Sequence, residues 1–289
     1  MTTAATPEQD QSEQQRFKIT TPAWIGIGIL AFWILVSIFG PLIAPHDEGT
    51  MVSTESFKLV EEAGFLGTDY LGRDLLSRVI YGARMTLGLA AIATALSFTG
   101  GIALGFFAAI SRGWIDQVLS RLIDAIMAFP SIMLALIIIG GLGTSLPIVI
   151  LTVALIDATR VFRVARALAL DISVMDYVEA ARVRGEQTMW VMRREILPNT
   201  LAPLTAELGI RYTFAILFIS SLSFLGLGVQ PPGADWGVMV KENLQGLAYG
   251  APAALIPAFC IATVSIAVNL LVDWFVDESS GNISEELVH

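Results

Sequence analysis

Cysteine occurs once and histidine twice in 289 residues. The lone Cys260 stands inside an apolar run, which excludes a disulfide framework and any multi-cysteine metal site. His46 and His289 lie outside the apolar runs, so no histidine cluster exists for zinc or haem. Charge is scarce as well. Only 15% of residues are charged against 55% hydrophobic, where a soluble domain carries about a quarter charged. The net charge of -9 offers no electrostatic footprint for nucleic acid, and the acidity bears on solubility rather than fold. No 20 to 50 residue repeat and no inverted duplication is visible, which argues against a secondary carrier. A convergent set of His, Cys or paired carboxylates is also missing from the apolar runs, which argues against a membrane-embedded enzyme.

What is present is a series of uncharged runs long enough to cross a bilayer, each needing roughly 20 apolar residues. Residues 1–21 read as a polar cytoplasmic tail, with Arg16 and Lys18 beside a first uncleaved span at 22–45. Residues 46–82 form an external segment in which Thr68 or Asp69 can cap a short helix. Residues 85–110 give a second span, where Gly88, Gly100, Gly101 and Gly105 suit close helix approach. SRGWIDQVLSR, with Arg112 and Arg121, reads as a short cytoplasmic loop. The run 125–156 is split by Gly140, Gly141, Gly143 and Pro147 into a third and fourth helix. Runs at 212–234 and 244–272 supply the fifth and sixth, and residues 278–289 a cytoplasmic tail. Trp236, beside Pro231-Pro232-Gly233, suits a headgroup-level anchor.

Basic residues test the orientation. Arg121, Arg160, Arg163, Arg166, Arg182, Arg184, Arg193 and Arg194 join the basic N-terminal pair and Arg112 on the inner side. Lys58, Arg73, Arg78, Arg84 and Lys241 fall outside, with Asp69 and Asp74 partly balancing three of them. The bias agrees with cytoplasmic termini.

Ionisable residues near the membrane are functional candidates by default. Asp157 and Arg160 are three apart on the fourth helix, and Glu207 and Arg211 four apart at the start of the fifth; both spacings allow pairing. For the first pair two readings stand, a functional intramembrane pair or snorkelling charges near a helix end. Asn269, in the sixth helix, suits interhelical packing or a place on the path. Met127, Phe129 and Met133 read as helix packing rather than a substrate box.

Residues 176–203 form a polar island. Asp176 followed by Glu179 matches a helix start, Gly185 a left-handed stop, and Pro198 the end of a second short helix. On physical grounds it is equally a membrane-surface amphipathic helix or a protein-docking element.

The sequence of EAA at Glu179-Ala180-Ala181, then Arg184, Gly185 and, further on, Leu197-Pro198 resembles the cytoplasmic coupling loop of permease subunits of ATP-binding-cassette importers. Glu195 stands where that family usually has Ile or His. The stretches GTDYLGRDLLSRVIYGAR, SFLGLGVQPPGADWG and IAVNLLVDWFVD are similar to the dipeptide/oligopeptide/nickel branch, its second permease in particular. In the last stretch Asn269, Asp273 and Asp277 are kept, whereas Val272 and Val276 replace Gly and Arg.

The resemblance implies an all-α membrane protein with six transmembrane helices, the type I importer permease fold (MetI-like). A five-helix core, 83–277, would carry a coupling loop at 170–200. It implies no catalytic residue and no cofactor or metal on this chain; ATP and Mg would be bound by two partner ATPase subunits. A homologous six-helix permease and an external substrate-binding protein would complete the machine in a bacterial or archaeal plasma membrane. Peptides are the implied cargo, with nickel, glutathione or opines as alternatives.

Overall fold

The computed structural model describes residues 19–58, 65–111 and 113–286. Arg16, Lys18 and Arg112, expected on the inner side, lie outside these residues. The described chain is helical, with no strand and only two isolated bridges, Met51 with Arg73 and Thr68 with Asp74.

Helix α1, Thr21–Ile43, begins with Pro22 at its first turn, where the missing N–H costs nothing. Most of its side chains face outward; Gly26 meets the backbone of the last helix, where an added Cβ would lie 2.9 Å from Ala267 O. Helix α2, Leu75–Ser111, runs 37 residues. Its start is earlier than the second apolar run, because Asp74 accepts from the N–H and hydroxyl of Ser77. The capping residue is therefore Asp74 rather than Thr68 or Asp69, and the short helix expected within 46–82 is the first turns of α2. Asp69 instead closes a turn by accepting from Leu71 N and Arg73 N, each at 2.9 Å.

From Gly113 on, SRGWIDQVLSR is not a loop. It opens helix α3, Gly113–Met127, which meets helix α4, Ser131–Leu142, at a bend of 89° around Pro130. Trp114, Val118 and Leu122 recur at helical spacing along it. Helix α5, Leu146–Ile172, runs straight through the Asp157 to Arg166 charges. At 27 residues it is roughly 40 Å long. Helix α8, Leu197–Phe224, begins well before the fifth apolar run, and together with the turns before it forms one 37-residue rod, Thr188–Phe224. Helix α10, Leu255–Glu286, extends the sixth run through the expected tail at 278–289, as far as Glu286. Four helices are long and apolar enough to cross a membrane, and the bent α3–α4 pair makes a fifth. Helix α5, which carries Asp157, Arg160, Arg163 and Arg166, is not among them.

The α2–α5 pair is the spine of the bundle. A Cβ at Gly101 would lie 2.6 Å from Val161 Cβ, and one at Gly105 2.7 Å from Phe162 O, so these two glycines set the spacing. Small residues let helices approach where lipid gives no hydrophobic drive. Gly88 and Gly100 have open space beside them and do not serve this purpose.

Between α8 and α10 the chain folds back as helix α9, Trp236–Asn243. Asp235 caps it, accepting from Gly237 N at 2.6 Å and Val238 N at 3.1 Å. Trp236 is not a headgroup anchor: it is wholly buried, its indole N–H donating to Val79 O at 3.0 Å and its ring edge-on to Trp33. The notch at Gly82 admits the indole, since a Cβ there would lie 2.8 Å from Trp236 Cδ1.

Two of the basic residues that broke the charge rule are accounted for here. Arg73 and Arg78 are buried between two acids, Asp69 at 2.6 and 3.3 Å and Glu242 at 3.2 and 3.3 Å. They are internal ion pairs that tie the 65–74 segment to α9, not loop charges. Tyr70 joins them, its hydroxyl donating to Glu242 at 3.1 Å. Burial and that carboxylate push the Tyr70 phenol upward.

Candidate functional site

Two sites emerge, one at an end of the bundle and one at mid-depth. The first is a short helix, α6, Asp176–Val183, framed by α5 and the Thr188–Phe224 rod. Its N-cap is Met175, whose side chain makes no cap bond, so Asp176 is the first helical residue rather than the cap. Asp176 and Glu179 still fall in the first turn, where the helix dipole favours acids. The C-terminus closes as expected. Gly185 N donates to Arg182 O at 2.9 Å and Glu186 N to Ala181 O at 3.2 Å, with Gly185 at φ +82°. This is a Schellman stop, and it needs a residue that accepts the left-handed region. No atom lies within 4 Å of a Cβ at Gly185, so conformation and not space selects glycine here.

The inner face of α6, Val178 and Ala181, is wholly buried. It packs with Phe106 and Ala109 of α2, Ala165 and Ala169 of α5, and Val191, Met192, Ile196 and Leu204 of the following rod. The outer face is open: Glu179, Ala180 and Arg184 are exposed, as are Val174, Met175, Tyr177, Val183 and Met189. Ser173, Glu179 and Arg182 border a hollow of about 450 Å³ there.

Helix α7, Thr188–Val191, does not stop at Pro198. A widened turn, Met192–Ile196, carries it into α8, with Leu197 N donating back to Met192 O. Proline clashes with the carbonyl four residues earlier in a regular helix; the wider turn relieves that clash ahead of Pro198, and such bulges recur at functional sites. Leu197 is partly buried against the α6 cluster, and Pro198 is exposed. Glu195 is half-buried, and its carbonyl accepts from the Asn199 side chain at 2.6 Å.

The second site unites the two candidate ion pairs. Arg211 reaches Glu207 at 2.8 Å along α8 and Asp157 of α5 at 3.2 Å. Arg160 approaches the same Asp157 oxygen at 3.8 Å. Ser97 of α2 donates to Asp157 at 3.3 Å, Arg160 donates to Ser131 of α4 at 3.0 Å, and the Arg160 guanidinium lies 4.3 Å from the Phe214 ring. Two acids and two bases thus tie four helices at mid-depth. Such a buried set holds only while each charge keeps its partner.

Ser97, Ser131 and Phe214 were invisible to spacing arguments, which link residues along a helix and not across helices. The Arg166–Asp116 fork between α5 and α3, at 2.5 and 2.6 Å, was hidden for a related reason, that α3 read as a loop. Asn269 is exposed on α10 and joins neither site. Met127 and Phe129 line a small cleft beside Arg160, and Met133 faces outward, so none of the three packs as a core residue.

Residues 101–279, which include α6 and all four charges, match the family described as binding-protein-dependent transport system inner membrane component. The chain belongs to that family. Residues 14–58 match the N-terminal TM domain of oligopeptide transport permease C. The chain is similar to a dipeptide transport system permease of Alkalihalophilus pseudofirmus, 32% identical over 277 residues, covering 95% of this chain and 90% of that one. A di/tripeptide transport system permease of Pseudomonas aeruginosa is 34% identical over 260 residues, 87% and 86% of the two chains. A glutathione transport system permease of Pectobacterium atrosepticum is 33% identical over 245 residues, 84% and 81%. Among solved structures, an amino acid ABC transporter with histidines matches at TM-score 0.52 and 22% identity, over 71% of this chain and 98% of that one. That likeness concerns the fold alone. As a member of this family the chain is a multi-pass membrane permease that works with a binding protein and an ATPase.

Proposed function

We propose that this chain forms one half of the translocation path of an ATP-driven importer of peptides, the other half being a homologous six-helix permease. Two separate ATPase subunits hydrolyse ATP, with its Mg, and an external binding protein delivers the substrate. The handle and both termini face the cytoplasm of a bacterial or archaeal cell. Relatives named for dipeptides and peptides support the choice of cargo.

The observation that carries this reading is the open outer face of α6. Tyr177, Ala180 and Val183 sit there beside Glu179 and Arg184, while Val178 and Ala181 root the helix in the bundle. A protein of complementary shape fits such an apolar face rimmed by charge. From it the Thr188–Phe224 rod leads unbroken to Arg211 at mid-depth. Nucleotide binding shifts the assembly only through its differential affinity for two states, and the rod is the physical path for that shift. Gly185→Trp tests it: the complex should assemble, yet transport per ATP hydrolysed should fall. Normal transport by Gly185→Trp in membrane vesicles would remove the handle from the mechanism.

A further inference from the structure

Arg160 is the most exposed charge of the mid-depth cluster, its side chain 30% accessible against 1% for Asp157, 14% for Arg211 and 12% for Glu207. It is roughly 21 Å along α5 from Leu146, about half the helix. An arginine open to acyl chains at that depth is costly, and such residues face the interior or a water-filled path.

The cluster leaves Arg160 under-neutralised. Arg211 lies closer to both acids, at 2.8 and 3.2 Å, whereas Arg160 reaches Asp157 only at 3.8 Å without a hydrogen bond. Neutral groups orient its guanidinium instead: Ser131 accepts from Nη2 at 3.0 Å, and Phe214 supports its flat face at 4.3 Å. Arg160 and Ser131 border a cleft between the α3–α4 bend and α5, walled by Met127, Phe129 and Thr159. The cleft leaves about 40 Å³, room for about three water-sized groups. That suits one small planar anion with an apolar substituent resting on Phe129. A guanidinium fork and a hydroxyl match a carboxylate in shape and charge.

Building on the importer reading above, we infer that this cleft is a subsite for the C-terminal carboxylate of a peptide in transit, with Arg160 as the residue that selects it. Glu207 and Asp157 hold Arg211, while Ser131 and Phe214 hold Arg160 at the border of the cleft.

The test uses the whole complex in proteoliposomes, with trialanine, its C-terminal amide and Ala-Glu-Ala amide as probes. Uptake is normalised to the measured affinity of the binding protein for each. The wild type should carry trialanine at least tenfold faster than its amide after that normalisation. Arg160→Gln should bring the ratio to within about twofold of one, and Arg160→Lys, which keeps the charge but loses the fork, should fall between the two. A wild-type ratio near one overturns the inference. So does a ratio unchanged in Arg160→Gln, including undetectable amide uptake by both proteins. If Ala-Glu-Ala amide regains the Arg160-dependent rate, the subsite reads any carboxylate and the C-terminal assignment is wrong. Wild-type vesicles that import no peptide remove the peptide reading itself, an outcome distinct from a failed ratio.

Discussion

Val272 of α10 fills the notch that Gly209 leaves in α8, its methyl group occupying the place of a Cβ at that glycine. Val272 stands where the branch that this stretch resembles commonly has glycine, and here it packs into the Gly209 notch. Gly209→Ala should therefore destabilise by overpacking, about 1–3 kcal/mol, and Val272→Ala should relieve it. The double variant is expected to lose less than the sum of the singles by about 0.5–3 kcal/mol, measured by thermal unfolding in detergent. Strict additivity would mean that the two side chains do not share this space.

The mid-depth cluster makes a second prediction. Arg211→Gln leaves Asp157 with Ser97 and the distant Arg160, and leaves Glu207 without its partner. Removing one member of a buried pair costs about 3–5 kcal/mol. Adding Asp157→Asn should restore part of that loss, since the carboxylate that Arg211 served is gone. A double variant worse than either single would contradict the pairing.

Glu242 shares its carboxylate between Arg73 and Arg78. Glu242→Ala leaves Asp69 as the one acid for both guanidinium groups, with Arg78 still bonded to Glu48 O. It should loosen the 65–74 segment, which then keeps the Tyr70 N to Asn243 bond to α9. Limited proteolysis should then cut within that segment faster than in the wild type. Glu242→Asp keeps the charge and should protect better than the alanine variant.

Gly185 offers a graded test of backbone conformation. Because nothing crowds its Cβ position, alanine there pays only the left-handed strain, about 1–2 kcal/mol. Asn visits that region more readily, so Gly185→Asn should retain more transport than Gly185→Ala. An order reversed between the two would point to a steric role.

Legibility in the sequence followed the physics of each feature. Apolar runs announced most of the spans, and the short helix at 176–183 was readable because Glu179 and Gly185 obey local rules, whereas its role as a handle came from the family resemblance alone. Its stop at Gly185 is a matter of one residue's φ. The far end of the polar island was misjudged, since Pro198 ends a regular helix but not one widened at Met192–Ile196. Trp236 was misplaced for a different reason. Burial depends on Gly82 and Val79, more than 150 positions away in the chain. The ion cluster was half visible: Asp157 with Arg160 and Glu207 with Arg211 are local pairs, but their union across α5 and α8 is a tertiary fact.

On the proposed reading, ATP acting through the α6 handle drives uptake through this chain. Vesicles bearing the whole complex and its binding protein are given a labelled dipeptide, once with ATP depleted and once with ion gradients collapsed by ionophores. Uptake should cease without ATP and persist without gradients. Uptake that follows the gradient and ignores ATP would contradict it.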